Sequence, residues 1–298
     1  MKLVAFERDG HLGVGLSEAE GRVRPYRLTD EESALGVATI VAAHVAGRPV
    51  SLADVTVAIA PDQLRAPFPR PPRNIFCVGK NYHEHAHEFS RSGFDSSAAS
   101  GAIPEAPIIF SKVPECVTGP GDPILFDEAV STAIDYEAEL CVVIGKGGRG
   151  IRKAEAMNHV WGYTIVNDVT ARDIQGRLKQ WLVGKSQDSF CPMGPIAATA
   201  DEIDLGNTGV RCWVNDELRQ NANTRDLIFD VPTLIETLSA GITLKTGDLI
   251  ATGTPAGVGI GFNPPKYLKP GDRVAIEIDG LGRLDNVVRA FSARKAAQ

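Results

Sequence analysis

Asp135-Tyr136-Glu137-Ala138-Glu139-Leu140-Cys141-Val142-Val143-Ile144 reads as a strand that begins polar and ends apolar and β-branched. Side chains alternate along a strand, so Asp135, Glu137 and Glu139 share one face while Tyr136, Ala138, Leu140 and Val142 take the other. The apolar run implies burial, and buried carboxylates need protons, basic partners or a cation. A divalent metal meets that need; a solvated face on an edge strand is the alternative, and spacing alone does not separate the two.

Working outward, Gly162-Tyr163-Thr164-Ile165-Val166 reads as a second short strand that runs into Asn167-Asp168 and the polar cluster Arg172-Asp173-Ile174-Gln175. Polar clusters at strand ends are where sites gather, and Asp168 is a candidate third oxygen ligand; its other use is as a helix N-cap. Upstream, Cys77 to Glu88 holds three of the six histidines. As a strand, its alternate histidines would suit zinc, but only His159 remains downstream to complete such a site. As a helix, it places His85 and Glu88 at i and i+3 on one face, the outline of a general-base dyad, with a solvated polar face as the alternative.

The remainder sets the frame. Lys2 to Phe6 and Leu12 to Leu16 flank a hairpin signal at Asp9-Gly10, and Asp30 to Val45 reads as one helix with Asp30 as its cap. Pro61, Pro67, Pro69, Pro71 and Pro72 punctuate a stiff linker, so the expected units are a small α+β domain over 1–70 and a catalytic domain over 71–298. Beyond it, short apolar runs at Ile75 to Val78, Ile108 to Phe110, Glu139 to Ile144, Tyr163 to Val166, Val210 to Val214, Leu249 to Thr252 and Val274 to Ile278 are interrupted by helical patterns chiefly at Lys153 to His159 and Val231 to Leu238. This predicts a β-rich α+β fold rather than a doubly wound parallel sheet. Ser90 to Ala106, rich in Ser, Gly and Ala and directly after the histidines, reads as a surface loop or a lid over bound substrate.

Composition excludes whole classes of partner. A net charge of -6 offers no basic surface for nucleic acid, and 43% hydrophobic residues in 298 suffice for a full core. Five scattered cysteines without CxxC spacing support neither disulfides nor zinc. Charges at Lys2, Glu7, Arg8 and Asp9 with no long apolar segment predict no signal peptide and no membrane span, hence a cytoplasmic protein.

Taken in order, the Gly79-to-Tyr82 segment with His85 and Glu88, the acidic strand, Asn167-Asp168 through Gln175, Gly184-Lys185-Ser186-Gln187-Asp188, Pro192-Met193-Gly194-Pro195 and Thr252-Gly253-Thr254-Pro255-Ala256-Gly257-Val258-Gly259 closely resemble the fumarylacetoacetate hydrolase family over about residues 72 to 290. The resemblance implies a mixed β-roll catalytic core and a homodimer. It implies Glu137, Glu139 and Asp168 as metal ligands, His85 with Glu88 as the dyad and Lys185 as the active-site lysine. It further implies Arg172, Gln175 and Thr254 as substrate contacts. Asp135 is expected to support these acids rather than to join them. Three carboxylates make a hard site suited to magnesium or manganese. The expected activity is metal-dependent hydrolysis of a carbon–carbon bond in acylpyruvate-like 2,4-dioxo acids, in aromatic or sugar-acid catabolism. The alternative is decarboxylation or isomerisation of 2-oxo dicarboxylates, of the oxaloacetate or 2-hydroxyhepta-2,4-diene-1,7-dioate type. A non-catalytic metabolite-binding relative is a third reading, against which the intact set of acids, dyad and lysine argues.

Overall fold

Ala138–Ile144 is buried at all seven positions because it lies inside the largest sheet. It pairs antiparallel with Val160–Asn167 on one side and Leu249–Ala251 on the other, and both faces are covered, which is why its sequence is an unbroken apolar run rather than an alternating one. The computed structural model describes residues 1–18, 21–91 and 103–291, so most of the expected lid at 90–106 lies outside the described residues.

The large sheet runs Val57–Ala58, Arg22–Pro25, His11–Ser17, Lys2–Arg8, Cys191–Thr199, Val160–Asn167, Ala138–Ile144, Leu249–Ala251, Ile75–Gly79, Ile108–Lys112. Leu64–Arg65 pairs with Lys2–Arg8, and Val117–Thr118 with Cys191–Thr199. A second sheet runs Glu217–Asn223, Gly209–Val214, Arg273–Ile278, Gly282–Ala290, Pro123–Phe126. Leu140 and Ile165 of the large sheet share one apolar core with Val210, Cys212, Ile276 and Ile278 of the second. Each such buried aliphatic side chain contributes roughly 1.5–3 kcal/mol.

The amino-terminal hairpin is Lys2–Arg8 with His11–Ser17, turning at Asp9 and Gly10, both at positive φ. Its first strand continues the large sheet, with Lys2 opposite Ala198 and Leu3 opposite Ala197. The helix expected over Asp30 to Val45 is instead two, Asp30–Ala34 and Ala38–Val45, because the chain turns at Gly36 with φ 63°. Thr29, not Asp30, is the cap: its hydroxyl accepts from Glu32 N while Glu32 reaches back to Thr29 N. Lys153–His159 forms a 3-10 helix rather than an α-helix.

The decisive stretch is also not one strand. Ile134–Asp135 pairs with Thr170–Ala171 in a separate two-stranded ladder, and only from Ala138 does the chain enter the large sheet. The crossing is fixed by Glu137, whose N–H donates to Asn167 Oδ1 at 3.0 Å and whose carbonyl accepts from Asp168 N at 2.9 Å. Glu137 and Asp168 are thereby held side by side at the mouth of the sheet.

Candidate active site

Glu137, Glu139 and Asp168 are all buried and converge, with one carboxylate oxygen of each within 4.8 Å of the others. Glu137 comes from the crossing before Ala138–Ile144, Glu139 from inside that strand, and Asp168 from the first residue after its neighbour Val160–Asn167. The antiparallel register therefore assembles the triad from two adjacent strands.

Three buried cations pair directly with its acids, and a fourth, Lys80, lines the same cavity. Lys185, ending the helix Leu182–Lys185, donates from Nζ to Glu137 Oε2 and Asp168 Oδ2, each at 2.7 Å. Lys112, ending the strand Ile108–Lys112, donates to Asp168 Oδ1 at 2.7 Å. Arg172, opening the helix Arg172–Leu178, donates from Nε to Asp135 Oδ2 at 2.8 Å and from Nη1 to Gln175 Oε1 at 3.2 Å, one helical turn on. Its Nη2 lies 2.7 Å from Glu137 Oε1, a close ion pair between two buried groups.

The segment Gly253 to Gly261 supplies backbone N–H groups to three acids of the region. Gly253 N donates to Glu139 Oε2 at 2.8 Å, Gly257 N to Glu88 Oε1 at 2.9 Å, and Gly259 N and Ile260 N to the two oxygens of Asp135 at 2.6 and 3.0 Å. A side chain would obstruct this. A Cβ on Gly257, which sits at φ 100°, would come within 1.9 Å of Arg219 O, and one on Gly261 within 1.9 Å of Glu88 Oε1. Glu88 turns its other oxygen to His85, whose Nδ1 lies 3.0 Å from Oε2. Both are on the helix His83–Arg91, with His85 buried and His83 and His87 exposed, so helical rather than strand periodicity governs and no zinc pair forms there. Thr254 accepts at its hydroxyl from Gln220 Nε2 at 2.8 Å. His85, Glu137, Glu139, Arg172, Gln175, Lys185 and Thr254 line one cavity, walled on its apolar side by Phe89, Phe110 and Trp181.

The electrostatics single out Glu139. Burial would raise the carboxyl of Glu137, but Lys185 and Arg172 outweigh it and hold that group at about 2. Burial pushes Glu139 well above the usual carboxylate range, and repulsion from Asp168 and Glu137 adds to it. Asp135, Glu137 and Asp168 each pair with one or two of Lys112, Arg172 and Lys185, and Glu139 is the one of these four carboxylates with no ion pair among the described residues. A buried acid with a single hydrogen bond beside two others, all presenting oxygen, is a donor set that fits a hard divalent cation.

The residues singled out from the sequence are thus placed together, with Asp135 set apart as an acceptor for Arg172 and the loop. Asp168 caps no helix; both its oxygens face lysines. Lys112 and the loop N–H groups went unread. The signal for Lys112 was a lysine continuing the otherwise apolar alternate-face series Ile108, Phe110, where a charge must be paired. All five cysteines are buried and unpaired, and among the described residues no helix is long and apolar enough to cross a membrane.

The result is an α+β fold of two larger sheets and one short ladder, with an acidic triad at the mouth of the larger sheet. The family model for the fumarylacetoacetate (FAA) hydrolase C-terminal domain matches residues 74–289, and the chain belongs to the fumarylacetoacetate hydrolase family. Among its relatives is the oxaloacetate tautomerase YisK of Bacillus subtilis (strain 168), 51% identical over 227 residues, which covers 76% of this chain and 73% of that one. Two solved structures each align over 98% of this chain and 100% of their own: a fumarylacetoacetate hydrolase from Exiguobacterium antarcticum, with TM-score 0.82 and 39% identity, and a 2-hydroxyhepta-2,4-diene-1,7-dioate isomerase from Mycobacterium marinum, with TM-score 0.77 and 30% identity.

These relatives correct the expected activity. The hydrolytic reading of 2,4-dioxo acids gives way to the tautomerase and isomerase class, because the 51% relative is an oxaloacetate tautomerase and the Mycobacterium marinum neighbour an isomerase. The physical reason for the error is that both chemistries use an acidic triad, a base and buried cations; whether water attacks is not written in those residue types.

Proposed function

We propose that the protein interconverts the keto and enol forms of oxaloacetate or a closely similar 2-oxo dicarboxylate. The choice of reaction is carried by the 51% identity with an oxaloacetate tautomerase, and the residues that line the cavity are compatible with it. Tautomerisation moves one proton from C3 to the oxygen on C2 and breaks no carbon–carbon bond. With Nδ1 turned to Glu88, His85 presents Nε2 to the cavity as the group that takes or returns the C3 proton, and Glu88 steadies the imidazolium that forms. The Arg172 guanidinium, which lines the cavity beside Glu137, suits a substrate carboxylate; Thr254, already accepting from Gln220, has its own proton left to donate. Gln175 holds the Arg172 guanidinium in plane.

Magnesium or manganese held by Glu137, Glu139 and Asp168 would stabilise the negative charge that develops during proton transfer; the all-oxygen donor set favours these over zinc. Lys185, bridging Glu137 and Asp168, holds the two carboxylates side by side. A homodimer is proposed with this reading on the family resemblance, and sedimentation tests it. The activity is tested by adding enzyme to freshly dissolved enol oxaloacetate, following the enol absorbance and assaying pyruvate at the end. Accelerated decay without pyruvate supports the proposal; decay at the buffer rate refutes it.

A further inference from the structure

Lys112 is more deeply buried than a lysine ordinarily is, at 1% side-chain exposure. Its ammonium has three protons, and three acceptors meet them: Asp168 Oδ1 at 2.7 Å, Val169 O at 3.2 Å, and the carbonyl oxygen of Lys185 in a short contact. Those acceptors belong to separate elements: the turn after Val160–Asn167 and the end of the helix Leu182–Lys185. Next to it, Val113 N donates to Ser186 Oγ at 3.2 Å, a second tie between the same strand end and the same helix end. Asp168, which carries one of the triad carboxylates, and Lys185, whose ammonium bridges that carboxylate to Glu137, are thus gripped by one side chain.

We infer that Lys112 is a positioning residue for the cation site, one that holds Asp168 by Oδ1 while Lys185 holds Oδ2, and that fixes Lys185 through its backbone. The inference rests on the triad being a cation site. Asp168 Oδ2 and Glu137 Oε2 both lie 2.7 Å from Lys185 Nζ, so a tilt of the Asp168 carboxylate out of its present plane, or a slip of the helix end, would open that arrangement. Lys112 blocks both movements. Groups that orient a metal ligand in this way typically change metal affinity by roughly 10–100-fold when removed.

Charge and positioning predict opposite signs, which makes the role measurable. Removing a cation next to three carboxylates would tighten binding of a divalent ion if Lys112 acted only as a counter-charge. Removing an orienting group weakens it. The experiment titrates Mn2+ into the full chain and reads free ion by electron paramagnetic resonance, for the parent, for Lys112→Met, which keeps the volume, and for Lys112→Gln, which keeps a neutral donor and carries the test where the Met variant does not fold. Thermal melts confirm folding. The expected result is a Kd for Mn2+ raised roughly 10–100-fold in either variant. A Kd unchanged or lowered in a folded variant overturns the inference while leaving the cation site standing. A parent that binds no Mn2+ overturns the cation site and this inference with it.

Discussion

Gly257 donates its backbone N–H to Glu88 Oε1 at 2.9 Å, while Glu88 Oε2 lies 3.0 Å from His85 Nδ1. The proposed base is therefore aimed from a glycine segment far along the chain. The same segment holds Glu139 through Gly253 and Asp135 through Gly259 and Ile260. One stretch of backbone sets the orientation of acids drawn from a helix, a strand and the ladder beside it.

Removing the base should separate chemistry from folding. His85→Ala is expected to lower oxaloacetate tautomerisation by roughly 10²–10⁴-fold. Its Mg2+-dependent rise in melting temperature should match the parent's, since no triad carboxylate is touched. Steady-state rates and melts on one preparation check this.

Gly261→Ala offers a subtler probe. The residue is not at positive φ, and the new Cβ would press on the carboxylate end of Glu88, the part of that side chain most able to move away. The substitution should therefore leave the fold and pull Glu88 from His85. A fall in kcat similar to that of Glu88→Gln, with melting within a few degrees of the parent, is expected; melting that collapses together with activity would assign the glycine to the fold instead.

Glu139→Gln should reverse its effect on stability according to whether metal is present. Burial holds the Glu139 carboxyl well above its unfolded value of about 4.3, so its contribution is full below that pH and is lost as pH rises through the raised folded value. Glu137, held down at about 2, contributes stability above about 4.3 that is lost on acidification, but both proteins share it. In chelator at pH 8 the variant should melt above the parent. In excess Mg2+ the parent should overtake it, by up to about 2.7 kcal/mol at a hundred times Kd. Parallel melts in both conditions decide the matter, and an equal Mg2+ response in the two proteins would contradict the assignment of Glu139.

Arg172→Lys keeps the charge but loses the fork that reaches Asp135, Gln175 and the cavity together. A KM for oxaloacetate raised by roughly tenfold or more, corresponding to one charge-assisted hydrogen bond of about 1.5–3 kcal/mol, is expected from initial-rate measurements.

Much of the site was legible because its residues violate ordinary patterning: Glu137 and Glu139 precede an apolar strand, and Asp168 follows one. Strands buried on both faces, such as Ala138–Ile144, were equally plain. Glu217–Asn223 and Gly282–Ala290 were not: they belong to the second sheet and show polar residues outward, with Gln220 the buried member of the first. The break between Asp135 and Ala138 was hidden because a side chain, Asn167, rather than a local turn signal fixes it. The grip of Lys112 and the loop N–H groups depend on contacts across 56 to 169 residues, which no local pattern reports. The reaction itself was misread because base, cations and acids are common to hydrolysis and tautomerisation.

The most direct measurement of the central claim follows deuterium entering C3 of oxaloacetate by proton magnetic resonance in D2O with saturating Mg2+, for the parent, His85→Ala and enzyme-free buffer. The account predicts rapid exchange with the parent, no accompanying pyruvate, and a His85→Ala rate lower by roughly 10²–10⁴-fold. Exchange at the buffer rate with the folded, Mg2+-bound parent would contradict it.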